Sequence, residues 1–266
     1  MIANDDLGNL GRLGNQMFQY ASLLGIAKKH GYEYCIPPVE VFGVKDPKVK
    51  KSDVNIFDCF NLLNEPKLIT NYPKVMESTF ALDKNLWENC PDNISLHGYF
   101  QTEKYFEHIK DDIRKAFTFV DEVSKPTKQY FDEHFTNTEV ISLHIRRTDY
   151  LTFEQHPVQE LDYYVKGLSE LPDDLPVIIF SDDIEWCSKQ SLFQSDRFNL
   201  SEGNDTSVDM FLQTLCDYHI IANSSFSWWG SWLSNSKKTI APKNWAGGSD
   251  ANKDMSDLYL PQWIVL

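Results

Sequence analysis

Residues 144–150 read HIRRTDY and follow the apolar run VISL at 140–143. Side chains alternate along a strand, so His144 and Arg146 share one face and Arg147 points away. A guanidinium is a planar fork of donors that stays charged at any working pH and fits phosphate oxygens. The pattern predicts a phosphate clamp at Arg146, with Arg147 tied to a carboxylate such as Asp149. In isolation, two surface arginines flanking a strand would read the same way. A second group is ANSSFSWWGSWL at 222–233. Asn223, Ser224 and Ser225 lie between a strand and a helix, where free backbone N–H groups and the helix dipole favour an anion. Ser225 and Ser227 are the hydroxyls aimed at a phosphate, although plain N-capping also wants serine here. Trp228, Trp229 and Trp232 read as core. In FSDD (180–183), Asp182 and Asp183 could accept from ribose hydroxyls or guanine amino groups, or could cap a helix. In GNLGRLGNQ (8–16), Gly11 and Gly14 would let backbone approach a ligand, with Asn15 and Gln16 adding neutral polar contacts. That loop has neither the dinucleotide glycine spacing nor the Lys-Ser/Thr of a triphosphate loop.

These residues need elements to hold them. The second half alternates VISLHI, a helix over 162–171, VIIFS, a helix over 183–191, FNL, a helix over 208–219, IIA, a helix at SWWGSWL and TIAP. Strands apolar on both faces, separated by single helices, predict a parallel sheet covered on both sides. Ligands of such sheets bind beyond the strands' carboxyl ends, where HIRR, SDD and NSSFS all fall. In the first half, residues 15–31 read as a helix ended by Gly31, and YEYCI (32–36) as a strand. Residues 40–95 read mostly as loops. Residues 98–117 turn and then form an amphipathic helix, and SKPTKQ (124–129) is the best candidate linker.

The chain has 266 residues and a formal net charge of −14, which argues against a nucleic-acid partner because phosphate backbones need clustered Lys and Arg. A small anionic ligand in one basic pocket is compatible with it. Five widely spaced cysteines without a CxxC pair read as reduced packing residues. With no signal peptide and no apolar run long enough to span a membrane, the expectation is a cytoplasmic protein without a transmembrane segment. The absence of any D-x-D pair argues against a divalent metal.

GRLGNQMFQYA, GYFQTEKYF, HIRRTDY, FSDD and IIANSSFSWWGSWL together, in this order, resemble the α-1,2-fucosyltransferases of glycosyltransferase family 11. The resemblance runs from about Gly11 to about Trp245. It implies an α/β fold of the GT-B type: two Rossmann-like domains with parallel sheets facing a central cleft. Residues 1–125 would form the acceptor-side domain and 126–266 the GDP-fucose-binding domain. The implied reaction is inverting, metal-independent transfer of fucose from GDP-fucose to the 2-hydroxyl of a terminal galactose on an oligosaccharide, with no other cofactor. The donor diphosphate would fall on Arg146, with His144 and Arg147 beside it and Ser224, Ser225 and Ser227 nearby. For the general base the choice is Glu154, by similarity to α-1,6-fucosyltransferases with a Glu at the matching distance after their Arg pair. Asp149 and His156 are the alternatives. Family members open with a short apolar strand before the glycine loop, where this chain has ANDDLGNL, so the first strand is expected to be degenerate or the start truncated. A protein O-fucosyltransferase and a non-catalytic nucleotide-sugar binding module are the competing readings.

Overall fold

Runs of Val, Ile, Leu and Phe dictate the larger half of the molecule. In the computed structural model, which describes residues 1–43, 53–62 and 64–266, the chain divides into two compact units. The first comprises Met1–Val120 with Asp254–Leu258, and the second Asp121–Lys253 with Tyr259–Leu266.

The second unit is built on a six-stranded sheet. Its elements run α5 (Asp121–His134), β5 (Ile141–Ile145), α6 (Leu161–Ser169), β6 (Val177–Ser181), α7 (Ile184–Ser188), β7 (Phe198–Leu200), α8 (Thr206–Leu215), β8 (Tyr218–Ile220), α9 (Ser225–Ser234), β9 (Lys238–Ala241) and β10 (Ile264–Val265). The order is β10-β9-β8-β5-β6-β7 with every pairing parallel. Alternation sorts the core: Ile141, Leu143, Ile145, Val177 and Ile179 pack with Tyr163, Tyr164 and Cys187. Val140, Ile178 and Phe180 face the other way, onto Phe135 and Leu212. Helices therefore cover both faces, as the continuous apolar strands require. Trp228, Trp229 and Trp232 are buried against one another and Trp263.

The first unit runs β1 (Ile2–Ala3), α1 (Leu13–His30), β2 (Tyr34–Cys35), α2 (Ile56–Cys59), β3 (Lys74–Met76), α3 (Lys84–Asn89), β4 (Ser95–His97) and α4 (Lys110–Ala116). Its sheet order is β2-β1-β4-β3, again parallel throughout. Helix α1 is buried almost all round, and Gly25 admits the backbone of Tyr105 so closely that a Cβ would lie 1.9 Å from its carbonyl oxygen. Gly31 closes α1 in the left-handed conformation.

Several expectations change. SKPTKQ is the middle of α5, not a linker, because Val123, Thr127, Phe131 and Phe135 recur every four residues and turn one stripe inward. The first strand exists and lies inside the sheet, with Ile2 and Ala3 fully buried despite the polar residues that follow. Helix α8 stops at Leu215, and the strand read at IIA begins two residues earlier, at Tyr218. Residues 40–95 hold α2, α3, β3 and the start of β4, and the rest of that stretch at 44–52 and 63 lies outside the described residues. Before α4, residues Glu103–Tyr105 and Glu107–Ile109 form tight three-residue turns of helix. All five cysteines are buried and free. Among the described residues no helix is long and apolar enough to cross a membrane.

Candidate active site

At the carboxyl end of β5, residues 144–150 leave the sheet and meet β6 and α9. His144 is buried, and its Nδ1 lies 2.9 Å from Ser227 Oγ in the first turn of α9. Burial, reinforced by the Arg146 charge, pushes this imidazole down to about 3, so it is neutral near pH 7. Ser227 has no exposed surface, and the hydroxyl expected to face a phosphate bonds His144 instead.

Arg146 keeps 18% of its side chain exposed and is gripped from two sides, by Asp149 at 2.7 Å and Asp182 at 3.2 Å. Burial pulls its pKa down, but these carboxylates outweigh that and leave it above its ordinary value. The guanidinium also lies 5.5 Å over the Tyr150 ring. Asp149 thus holds Arg146, correcting the expectation that it would hold Arg147. Arg147 instead pairs through Nε with Asp183 at 3.2 Å and lies 4.0 Å over the Trp186 ring. The reason is local: residues after Ile145 have left the strand, and Asp149 to Leu151 form a tight helical turn that brings Asp149 back under Arg146.

The two aspartates of FSDD build this socket. Asp182 accepts from the backbone N–H groups of Arg147 (2.9 Å) and Thr148 (3.2 Å) and from the Thr148 hydroxyl. Asp183 caps α7 through the Trp186 N–H at 3.1 Å while its other oxygen takes Arg147. Both carboxylates are therefore engaged in shaping the loop that presents Arg146.

Ser224 is the N-cap of α9, its hydroxyl accepting from Phe226 N–H at 3.3 Å. Ser225, the first helical residue, is half-buried, and its hydroxyl meets no partner among the described residues. Tyr150 joins the two motifs by donating to the Asn223 carbonyl at 3.0 Å, and burial raises its phenol to about 12. Asn223 in turn donates to the carbonyls of Pro157 (3.0 Å) and Trp245 (3.1 Å). The basic motif and the serine motif are thus one hydrogen-bonded assembly at one sheet edge. It can seat a diphosphate on a guanidinium, a free hydroxyl and the N–H groups that open α9.

The remaining candidates lie elsewhere or are differently engaged. Glu154 is exposed, and no hydrogen bond among the described residues orients its carboxylate. His156 stacks on Tyr150 at 4.9 Å. In the first unit Gly11 has φ +82°, and a Cβ there would strike the Asn15 side chain at 2.2 Å. Asn15 Oδ1 accepts from Gln101 Nε2 at 2.7 Å. Gln16 is buried, with Oε1 accepting from Ile56 N–H at 3.2 Å, and Gly14 is buried in the first turn of α1.

Sequence reasoning missed a second group, at the carboxyl ends of β1 and β4. The buried Asp6 carboxylate takes both Lys74 Nζ and His97 Nδ1, the latter at 2.7 Å. Beside it, Glu77 Oε2 accepts from the N–H groups of Tyr99 and Phe100, each at 2.9 Å, and burial raises this acid to about 7. The signal was present: His97 immediately precedes GYFQTEKYF, and Asp6 sits in the polar stretch that seemed to spoil the first strand.

Two parallel α/β units of this kind match solved glycosyltransferases of the GT-B class. The NodZ α-1,6-fucosyltransferase soaked with GDP-fucose superposes with a TM-score of 0.56 at 14% identity, over 93% of this chain and 96% of that one. POFUT1 in complex with GDP gives 0.55 at 12% identity, over 88% and 94%. The sequence profile of glycosyl transferase family 11 matches residues 4–266, and the chain belongs to that family. It is 31% identical to an α-1,2-colitosyltransferase of Escherichia coli over 91% of this chain and 92% of the relative. It is 21% identical to human galactoside α-(1,2)-fucosyltransferase 1, over 96% of this chain and 72% of that protein.

Proposed function

We propose that this glycosyltransferase moves fucose from GDP-fucose, with inversion and without a divalent metal, to the 2-hydroxyl of a terminal galactose on an oligosaccharide. The observation that carries the reading is Arg146, fixed by two carboxylates beside the α9 N-terminus. As the acceptor oxygen bonds to the fucose anomeric carbon, the bond from that carbon to the β-phosphate breaks and its electron pair leaves with GDP. Fixed donors aimed at the growing charge lower the barrier. Arg146 and Ser225 do so here, doing electrostatically what a metal does in other enzymes. His144, Arg147, Asp182, Asp183, Ser224 and Ser227 keep that edge in shape. The second unit then receives the donor and the first the acceptor, and Gly11, Gly14, Asn15 and Gln16 of the glycine loop add donor contacts. The names of the relatives support the α-1,2 linkage, and the colitosyltransferase favours a second reading that differs only in the sugar, colitose replacing fucose.

The purified protein is incubated with EDTA, GDP-fucose and galactose-terminated oligosaccharides, and the product's mass and linkage are read. An α-1,2-fucosylated galactoside and free GDP are expected. Transfer only to peptide hydroxyls identifies a protein O-fucosyltransferase. GDP-fucose binding without turnover identifies a binding module, or a transferase for another sugar if a colitosyl donor is consumed.

A further inference from the structure

A diphosphate seat assembled from two motifs works only while the motifs keep a fixed spacing, and within the second unit one side chain touches both. Tyr150 lies under the Arg146 guanidinium, 5.5 Å from it to the ring centre. Its hydroxyl donates at 3.0 Å to the carbonyl of Asn223, the residue before the N-cap of α9. Resting on the proposed seating of the donor diphosphate, we infer that Tyr150 is a positioning residue, which sets the spacing and tilt of Arg146 relative to the amino end of α9.

The ring and the hydroxyl divide the work. Asp149 and Asp182 grip the guanidinium by its N–H edge, and the ring face beneath it limits how far its plane can tilt. The hydroxyl acts on α9. The peptide joining Asn223 to Ser224 is held at both ends, its carbonyl accepting from Tyr150 and its N–H donating to the Ala222 carbonyl at 2.8 Å. The phenol also bonds the Ser224 side chain. That peptide leads straight into Ser224, the cap, and Ser225, the first helical residue. Both ends of this strut are anchored. Tyr150 sits in the helical turn Asp149–Leu151, closed by the Leu151 N–H on the Arg147 carbonyl at 2.9 Å, and its ring stacks on His156. Asn223 is tied through its amide to Pro157 and Trp245. Burial keeps the phenol protonated up to about 12, so it remains a donor at any working pH. Asn223 is itself buried, so solvent is poorly placed to replace the bond once Tyr150 loses its hydroxyl.

The test uses the full chain and reads GDP affinity by calorimetry beside steady-state turnover. Tyr150→Phe keeps the ring and removes the donor to Asn223. It is expected to weaken GDP binding and to lower kcat by about 10-fold each, with the acceptor KM unchanged. In a Ser225→Ala background the same substitution should cost less than roughly 3-fold, because the hydroxyl it would misplace is already gone. A general loosening of the unit would instead cost the same in both backgrounds. Tyr150→Leu removes the ring as well and should bind GDP more weakly than Tyr150→Phe. Wild-type GDP affinity and turnover in Tyr150→Phe overturn the inference while leaving the proposed transfer standing. An equal loss with and without Ser225 shows Tyr150 acting apart from α9 and overturns it too. A Leu variant no weaker than the Phe variant overturns the link to Arg146. A wild-type protein that binds no GDP removes the diphosphate seat, and this inference with it.

Discussion

The two sheet edges use charge in opposite ways. At the β5 edge, two arginines stand against three aspartates, and the cations remain partly open to a ligand. At the β1 and β4 edge, carboxylates are turned mainly onto backbone N–H groups. Asp5 takes Thr70 and Asn71, Glu77 takes Tyr99 and Phe100, and Asp83 takes Leu86 and Ser78. The first arrangement leaves an arginine partly exposed between carboxylates, and the second spends acids on holding irregular loops in shape. The difference teaches that replacing Arg146 at the first edge should damage turnover, whereas replacing Asp5 or Asp83 at the other should damage folding.

The largest expected effect is at the first edge. If Arg146 is the proposed donor to the leaving group, Arg146→Ala should cut turnover ~100-fold or more, corresponding to roughly 2.7–4 kcal/mol, with the fold retained. Arg146→Lys should not restore it, because an ammonium lacks the planar fork. Near-wild-type turnover in Arg146→Ala would break the comparison. Glu77→Gln sharpens the other side. Burial lifts this acid from 4.5 to about 7, so the folded protein binds the proton more tightly than the unfolded chain does. Wild-type stability therefore falls as pH rises from about 4.5 to 7, by as much as ~3 kcal/mol. The glutamine variant escapes that fall, so urea unfolding at pH 5 and pH 8 should find it gaining on wild type at the higher pH. An equal difference at both values would remove Glu77 from the account. The smallest effect is at Ser224→Ala, which should cost ~1 kcal/mol of stability by uncapping α9. A melt unchanged from wild type would mean that the N–H groups opening this helix do not depend on the cap.

The second unit was legible because its strands are long enough to display a pattern. VISLHI and VIIFS are apolar on both faces, and each is followed at once by its polar motif. The first unit's strands are two or three residues long, too short for any period to register, and Lys74 and Met76 on β3 are exposed. Their placement comes from pairing across the sheet, which local sequence does not encode. The Arg147 partner was misread for a related reason, since the alternation rule holds only while the chain remains a strand. The dyad escaped notice because Asp6 and His97 are 91 residues apart and meet only through β1 and β4.

The return of Asp254–Leu258 to the first unit has a practical consequence. Asp257 accepts from Leu82 N–H at 3.0 Å and pairs with Lys104, so a fragment ended at Val120 would lose those bonds. The polypeptide changes units at 120–121, again at 253–254 and once more at 258–259. Neither unit is a contiguous stretch of gene, so grafting one half onto a relative would need two splice junctions around five residues as well as the obvious one.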